Sequence, residues 1–203
     1  MIFIGTKHLI CVYVNGEYKV SQYGHWDGYP EGQGVDILNF LIKEFNRNIF
    51  IEKLNNMVSF GTEEELNNQW KECGYPGSGT IEREVFDEHK MKFPENSRDT
   101  GAGIFQIIQN TSKPLKLINN IHFAADPSCA WAYVIDLDKN TFEVYIGFNT
   151  EPLSVNDRFY SLSPYCAGYY PVRLLVSFDL SKLPTRRHFL SSITKKCKKL
   201  GLY

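Results

Sequence analysis

The sequence lacks the features that mark several common classes of protein. No apolar run approaches the roughly 20 residues that a helix needs to cross a bilayer, so we predict no membrane partner. The five cysteines form no C-x-x-C pair and show no zinc-finger spacing. No Gly-Lys-Ser/Thr triplet occurs, which excludes a P-loop. An excess of one charge is also missing, because 22 Lys and Arg balance 23 Asp and Glu, so there is no strong nucleic-acid signal.

The composition is that of a globular protein. A chain of 203 residues buries roughly 70% of its unfolded surface, so it needs no disulfide or metal for stability. We predict one domain over residues 1–203, with an insertion at about 60–100, and no cofactor. The N-terminal apolar run is broken by Lys7 and His8, which argues against a secretory signal. Reduced thiols and a cytoplasmic location follow as expectations.

Turn and periodicity signals predict an α+β fold with a mainly antiparallel sheet. Asn15-Gly16 predicts a hairpin over 8–23, and Lys139-Asn140 predicts a two-residue connection in a second hairpin. No regular alternation of strands and helices appears, which disfavours a doubly wound sheet. Further strands are predicted at 115–123 and 172–180. Helices are predicted at 35–46, 62–73, 103–110 (stopping before Pro114) and 185–200. The segment 47–60 is a short helix or irregular, and 81–93 is weakly patterned.

The C-terminal helix carries a local excess of positive charge. Its six cations indicate a solvated helix face or, as the alternative, a patch for nucleic acid or lipid. They are Arg186, Arg187, Lys195, Lys196, Lys198 and Lys199.

The loop 24–34 concentrates aromatic, ionisable and glycine residues between a strand and a helix. Glycine amides just before a helix N-terminus can bind a carboxylate or phosphate, and a nearby Arg can hold the same anion. The alternative is a rigid turn whose aromatic side chains fill the core, with Arg98 in an ordinary surface turn. The candidate ligand-binding residues are Trp26, Asp27, Tyr29, Glu31, Gly32, Gln33, Gly34 and Arg98.

Four residues are candidates for catalysis: Thr6, His25, Asp27 and Cys129. A histidine titrates near neutral pH and can act as acid, base or ligand, but a lone loop histidine also serves as a structural hydrogen-bonding residue. Cys129 is either a nucleophile or a buried inert thiol. A metal at His25 would need His122, Asp126 and Cys129 close by, and we predict no metal site.

The segment QYGHWDGYPEGQG (22–34), behind Gly5-Thr6-Lys7-His8-Leu9, resembles an uncharacterised family found in fungi, bacteria and phages. The later AWAYVIDLD and TFEVYIGF segments are also similar, so the likeness covers most of the chain. His25 stands where the family motif has Gln, so the resemblance implies no essential role for His25. It implies one soluble domain and carries no known activity.

Gly5-Thr6 ahead of a hairpin also resembles, in outline, the N-terminal-nucleophile hydrolases. Such an enzyme exposes the α-amino group of its nucleophile by cleavage, here before Thr6. Three hypotheses of function remain open. The first is a domain that binds a small polar or anionic ligand, such as a nucleotide, on the 24–34 loop. The second is an amidohydrolase using Thr6 or Cys129. The third is a phage or host-conflict module that binds a protein partner, favoured if aromatics around 160–170 are exposed.

Overall fold

A computed structural model describes residues 5–201, which contain seven strands and six α-helices. The strands are β1 (His8–Val14), β2 (Glu17–Gly24), β3 (Val58–Phe60), β4 (Leu115–Leu117), β5 (Trp131–Asp136), β6 (Thr141–Ile146) and β7 (Arg173–Asp179). The helices are α1 (Val35–Lys43), α2 (Arg47–Asn56), α3 (Glu63–Glu72), α4 (Arg83–Lys92), α5 (Ile104–Asn110) and α6 (Arg186–Lys199).

Five strands form the main sheet in the order β2-β1-β5-β6-β7, and β3 and β4 form a separate pair. Every neighbouring pair in the main sheet is antiparallel except β1 and β5, which run parallel from His8 opposite Trp131. The predicted α+β fold with a mainly antiparallel sheet is confirmed.

The sheet is covered on both faces, which explains its nearly continuous apolar strands. On one face Ile10, Val12 and Phe142 pack into a core with side chains of α1, α2, α5 and α6. On the other face Leu9 and Cys11 join a smaller core with residues of the segments 121–125 and 153–172. A strand buried on both faces gains free energy from every side chain, so strict alternation is not needed.

The two predicted hairpins exist, but the second has a longer turn. Asn15 and Gly16 have φ of +56° and +80°, as a tight primed turn requires. In the second hairpin the strands end at Asp136 and resume at Thr141, so the predicted two-residue connection is wrong. The reason is that Asp136 Oδ1 accepts the amides of Asp138 and Lys139 at 3.0 and 2.7 Å, which fixes a four-residue turn.

Local capping decides where several helices begin. A capping box of Thr62 and Glu65 begins α3, and Thr185 caps α6 by accepting the amide of His188. Helix α1 ends at Lys43 rather than at about 46, because Asn46 caps α2.

Two other elements differ from the sequence prediction. The predicted strand 115–123 ends at Leu117, since Asn119 Oδ1 accepts the Ile121 amide and turns the chain into a short helical turn. The weakly patterned region 81–93 holds helix α4, whose His89 stacks on Trp70 of α3 with ring centres 3.7 Å apart. These two helices fill most of the region predicted as an insertion.

A buried ionic cluster fastens the 148–172 segment to the sheet. Arg158 Nε donates to Glu143 Oε2 at 2.8 Å, and its guanidinium also pairs with Asp136, which is fully buried. The Tyr145 hydroxyl donates to the same Glu143 carboxylate at 2.6 Å. Two carboxylates buried at low dielectric destabilise the fold unless a cation neutralises them, and Arg158 is that cation here.

We expect Arg158→Met to lower the free energy of unfolding by about 3–5 kcal/mol, because it leaves two buried carboxylates without a counter-charge. Arg173→Met is the matched control, since Arg173 pairs with the exposed Glu151 and exposed pairs contribute about 0–1 kcal/mol. Urea unfolding of both variants measures the difference. Equal losses in the two variants would show that the cluster has no special role.

Candidate functional site

The 24–34 loop is fixed by hydrogen bonds to three separate parts of the chain. The Gly28 amide donates to the Thr6 carbonyl at 3.0 Å, and the Tyr133 hydroxyl of β5 donates to the Gly28 carbonyl at 2.8 Å. The His25 amide donates to the Arg98 carbonyl at 3.0 Å. The loop is therefore a rigid turn, and the loops 24–34 and 97–103 lie together.

Two of the loop glycines are required by close packing against His8. A Cβ at Gly24 would lie 2.2 Å from the His8 ring, and one at Gly28 would lie 2.5 Å from the Thr6 carbonyl oxygen. Real Cβ atoms do not approach that closely, so neither glycine can become Ala without a backbone shift. These glycines let the loop close over the start of β1.

His8 is the least expected residue of this region. Its ring is 1% exposed, and neither nitrogen makes a hydrogen bond of normal geometry with any described residue. Burial lowers the pKa of His8 to about 4, although the Thr6 carbonyl and the charge of Asp27 oppose the shift. The imidazole is therefore neutral at physiological pH, and it packs directly against Gly24 and Gly28 of the loop.

The predicted anion-binding amides are already used inside the loop. The Gly32 amide donates to the Tyr29 carbonyl at 3.0 Å, and the Gln33 amide donates to the Asp27 carbonyl at 2.9 Å. Gly34 is buried against the rings of Tyr133 and Phe189. These residues form the wide turn Pro30–Gly34 that leads into α1, and its Gly32 and Gln33 amides are already bonded inside the loop.

Another part of the loop is acidic. The Tyr29 hydroxyl donates to Asp27 Oδ1 at 3.1 Å, and this bond raises the pKa of Tyr29. Glu31 is exposed beside it. Burial, together with the charge of Asp27, raises the pKa of Asp36 in the first turn of α1. This side of the loop suits a polar or cationic group better than an anion.

A surface depression of about 290 Å³ lies next to this acidic side. Among its lining residues are Gln33, Asp36, Glu44 and Gln106. Gln33 Oε1 accepts the Ala102 amide at 2.7 Å, and Gln106 Nε2 donates to Glu44 at 2.9 Å. Of the candidate ligand-binding residues, only Gln33 lines the depression.

A second cluster, here called the cationic corner, consists of Lys7, His25, Trp26 and Arg98. The ring of His25 lies edge-to-face with Trp26, with centres 4.6 Å apart, and its Nδ1 is 2.6 Å from the Tyr23 hydroxyl. Desolvation lowers the pKa of His25, and the charges of Arg98 and Lys7 lower it further. Two cations therefore disfavour protonation of this imidazole.

The aromatic and guanidinium groups of the corner are partly accessible. The Trp26 side chain is 42% exposed, and its Nε1 donates to Asp99 Oδ1 at 3.1 Å. The Asp99 charge is balanced by Lys90, whose Nζ lies 2.7 Å away. Arg98 is exposed and sits 5.2 Å from the centre of the Phe86 ring. Within residues 5–201, neither Lys7 nor Arg98 makes an ion pair.

The other catalytic candidates show no activated nucleophile. Cys129 is fully buried, and burial raises the pKa of its thiol well above the usual value, which keeps the sulfur protonated and unreactive. Thr6 is half-buried, and its carbonyl accepts the Gly28 amide. Among the described residues, no three His, Cys, Asp or Glu side chains come together as a metal site, so His25, His122, Asp126 and Cys129 do not converge.

Sequence reasoning missed Lys7 and His8 as parts of this region. Both read as the start of a β-strand, and only the pairing of β1 with its neighbours brings them under the loop. Lys7 Nζ reaches Ser128 Oγ at 3.4 Å, a contact across 121 residues of chain. The sequence pointed to Lys7 only through its place in the Gly5–Leu9 segment, which is part of the resemblance to the uncharacterised family.

The chain matches no protein-family model, no curated protein and no solved structure. The resemblance of the 22–34 motif to an uncharacterised family therefore stays a prediction. Within residues 5–201, every helix is too short or too polar to cross a bilayer.

The lowered pKa of His8 predicts a loss of stability in acid. The unfolded chain binds a proton at pH 6.5 and the folded protein only at about 4, so His8 costs no stability above pH 6.5. As the pH falls from 6.5 to 4, the difference removes about 3 kcal/mol. We expect His8→Leu to abolish this part of the pH dependence in denaturant titrations at pH 4 to 7.

His122→Leu is the control, because His122 is an exposed histidine outside this packing. It should keep the acid-side slope of the natural protein. An unchanged slope in His8→Leu would contradict the neutral, buried state of His8.

Proposed function

We propose that this domain binds a small anionic ligand at the cationic corner. The observation that carries the proposal is that Lys7 and Arg98 make no ion pair within residues 5–201, while the Arg98 carbonyl accepts the His25 amide at 3.0 Å and the exposed Trp26 ring lies 4.6 Å from the His25 ring. Two cations with no ion-pair partner among the described residues, beside an exposed indole, suit a ligand with a carboxylate or phosphate and a flat ring. A nucleotide is one ligand of this kind, and a cytoplasmic location would supply such ligands.

The choice of the corner over the nearby depression follows from charge. Asp36 and Glu44 line the depression, and their carboxylates would repel an anion. At the corner, Lys90 neutralises Asp99, and the Asp126 carboxylate accepts the Ser128 hydroxyl at 2.6 Å. The exposed face of Trp26 then offers a stacking surface, while Arg98 supplies a planar fork for two acceptor oxygens.

Thermal-shift measurements with inorganic phosphate and a panel of nucleotides and carboxylates test this proposal. A compound present at about 100 times its dissociation constant should stabilise the protein by about 2.7 kcal/mol. We expect Arg98→Gln and Lys7→Gln each to remove most of that shift. In NMR titrations, the bound anion should also raise the pKa of His25, since it offsets the two cations.

Arg83→Gln is the matched control, because Arg83 is an exposed cation on α4 in a loose pair with Asp87. It should leave the shift unchanged. If no anion stabilises the protein, or if all three variants respond alike, the proposal fails.

A second candidate function, a phage or host-conflict module that binds a protein partner, is favoured by exposed aromatic side chains in the 148–170 segment. Tyr165 is 73% exposed, Phe148 is 60% exposed and Tyr160 is 50% exposed. Tyr160 also lines a depression of about 420 Å³ with Pro152 and other apolar residues. Aromatic side chains are enriched at the surfaces where proteins bind one another.

Affinity purification from a native host extract discriminates this candidate. A partner recovered with the natural protein should be lost with Tyr165→Ala combined with Tyr160→Ala, and kept with Arg98→Gln. Equal recovery with every variant would count against binding at this segment. The hydrolase alternative is tested separately by intact mass, since use of Thr6 requires loss of the first five residues.

A further inference from the structure

Helix α6 presents a dense positive surface. Residues 180–203 contain seven of the chain's 22 Lys and Arg and none of its 23 Asp and Glu. The last 24 residues therefore carry a formal charge of +7, and the preceding 179 carry −8, which sum to the −1 of the whole chain. The near-neutral total conceals two regions of opposite charge.

Packing turns these charges toward solvent. Phe189, Ile193 and Cys197 form the buried stripe of α6, and Phe189 stacks on Phe142 of the sheet with ring centres 5.7 Å apart. All Arg and Lys side chains of α6 are exposed, and none makes an ion pair within residues 5–201. Arg186 acts on the pKa of Asp36 from beyond ion-pair distance.

The position of two of these charges is unfavourable for the helix itself. Lysines in the last turn of a helix interact well with its dipole, which accounts for Lys196, Lys198 and Lys199. Arg186 and Arg187 instead occupy the first turn, where the dipole is positive and acidic residues are favoured, and no acidic residue is present there. Helix stability does not explain this pair of arginines.

We propose that the exposed face of α6 binds nucleic acid through its phosphate backbone. The helix has 14 residues and so is about 21 Å long, while a duplex carries one negative charge per roughly 1.7 Å of its axis. The six cations of α6 average one per roughly 3.5 Å of helix, close to the roughly 3.4 Å between charges along one strand of the duplex. Ser191 and Thr194 lie exposed between the two groups, but their hydroxyls donate to the helix carbonyls of His188 and Leu190 at 3.1 and 3.0 Å, so the cations are the groups left to contact phosphate.

The same surface is less suited to a membrane. Amphipathic helices that bind bilayers insert an apolar face, but the apolar face of α6 is already buried against the sheet. Leu200, at the C-terminal cap, is the one large exposed hydrophobic residue at this helix in the described chain. A membrane would be held here by charge alone, without an inserted apolar face. Charge alone is sufficient to bind the phosphate backbone of a nucleic acid.

Fluorescence anisotropy with a mixed-sequence 20-base-pair DNA duplex, from 50 to 200 mM salt, tests the proposal. We expect the logarithm of affinity to fall linearly with the logarithm of salt, as counterion release requires. Substituting Lys195, Lys196, Lys198 and Lys199 by Gln should weaken binding at least tenfold at 50 mM salt. It should also reduce the slope by about 3 to 4.

The double variant Arg186→Gln with Arg187→Gln separates binding from folding. Removing cations from the first turn should leave the melting temperature equal or higher, while weakening the affinity for DNA. A variant that binds as tightly as the natural protein would overturn the proposal. Because the cationic corner is a separate surface, Arg98→Gln should bind DNA normally, which distinguishes this inference from the proposed function.

The matched control substitutes four exposed lysines elsewhere, Lys43, Lys71, Lys113 and Lys139, by Gln. It changes the net charge equally and should retain most of the affinity. Equal weakening by both quadruple variants would mean that net charge, not α6, drives binding. Tighter binding to vesicles of phosphatidylserine and phosphatidylcholine than to DNA, at the same salt, would also overturn the proposal.

Discussion

The parallel pairing of β1 with β5 is the contact on which the rest of the structure depends. β1 is antiparallel to β2 on its other edge, so this one strand joins the N-terminal hairpin to the second hairpin. The start of β1, the start of β5 and the end of β2 consequently lie at the same end of the sheet. The 24–34 loop begins at that end, which is why Thr6, His8 and Tyr133 all contact it.

The parts of the fold that could be predicted from sequence are those that a few neighbouring residues determine. The Asn15-Gly16 turn depends on two backbone angles, and the start of α3 depends on Thr62 and Glu65 three residues apart. The β1–β5 pairing joins residues more than 100 positions apart, and no local pattern encodes it. Helix α4 was missed because its charged sequence is marginal alone and is stabilised by the stacking of His89 on Trp70.

The candidate site shows the same division between local and distant information. The 24–34 loop could be located, because glycines, aromatics and ionisable groups cluster there in the sequence. The purpose of its glycines could not be predicted, since a close approach to a ligand and a close approach to His8 demand the same residue. Arg98 was identified as a cation near a loop, but that its charge and the charge of Lys7 both act on His25 required the tertiary fold.

Net charge was the least informative property of this sequence, for a physical reason. At physiological salt the field of a surface charge decays over about 8 Å, so a partner senses only the charges near its own binding surface. The net charge of the 203 residues is the sum of the +7 of the last 24 and the −8 of the remainder. By itself it predicts no attraction to polyanions. The structure separates these regions, because packing of Phe189 and Ile193 fixes which side of α6 faces solvent. For a chain of this kind, charge has to be counted on one helix face at a time, since that is the area that a nucleic acid would contact.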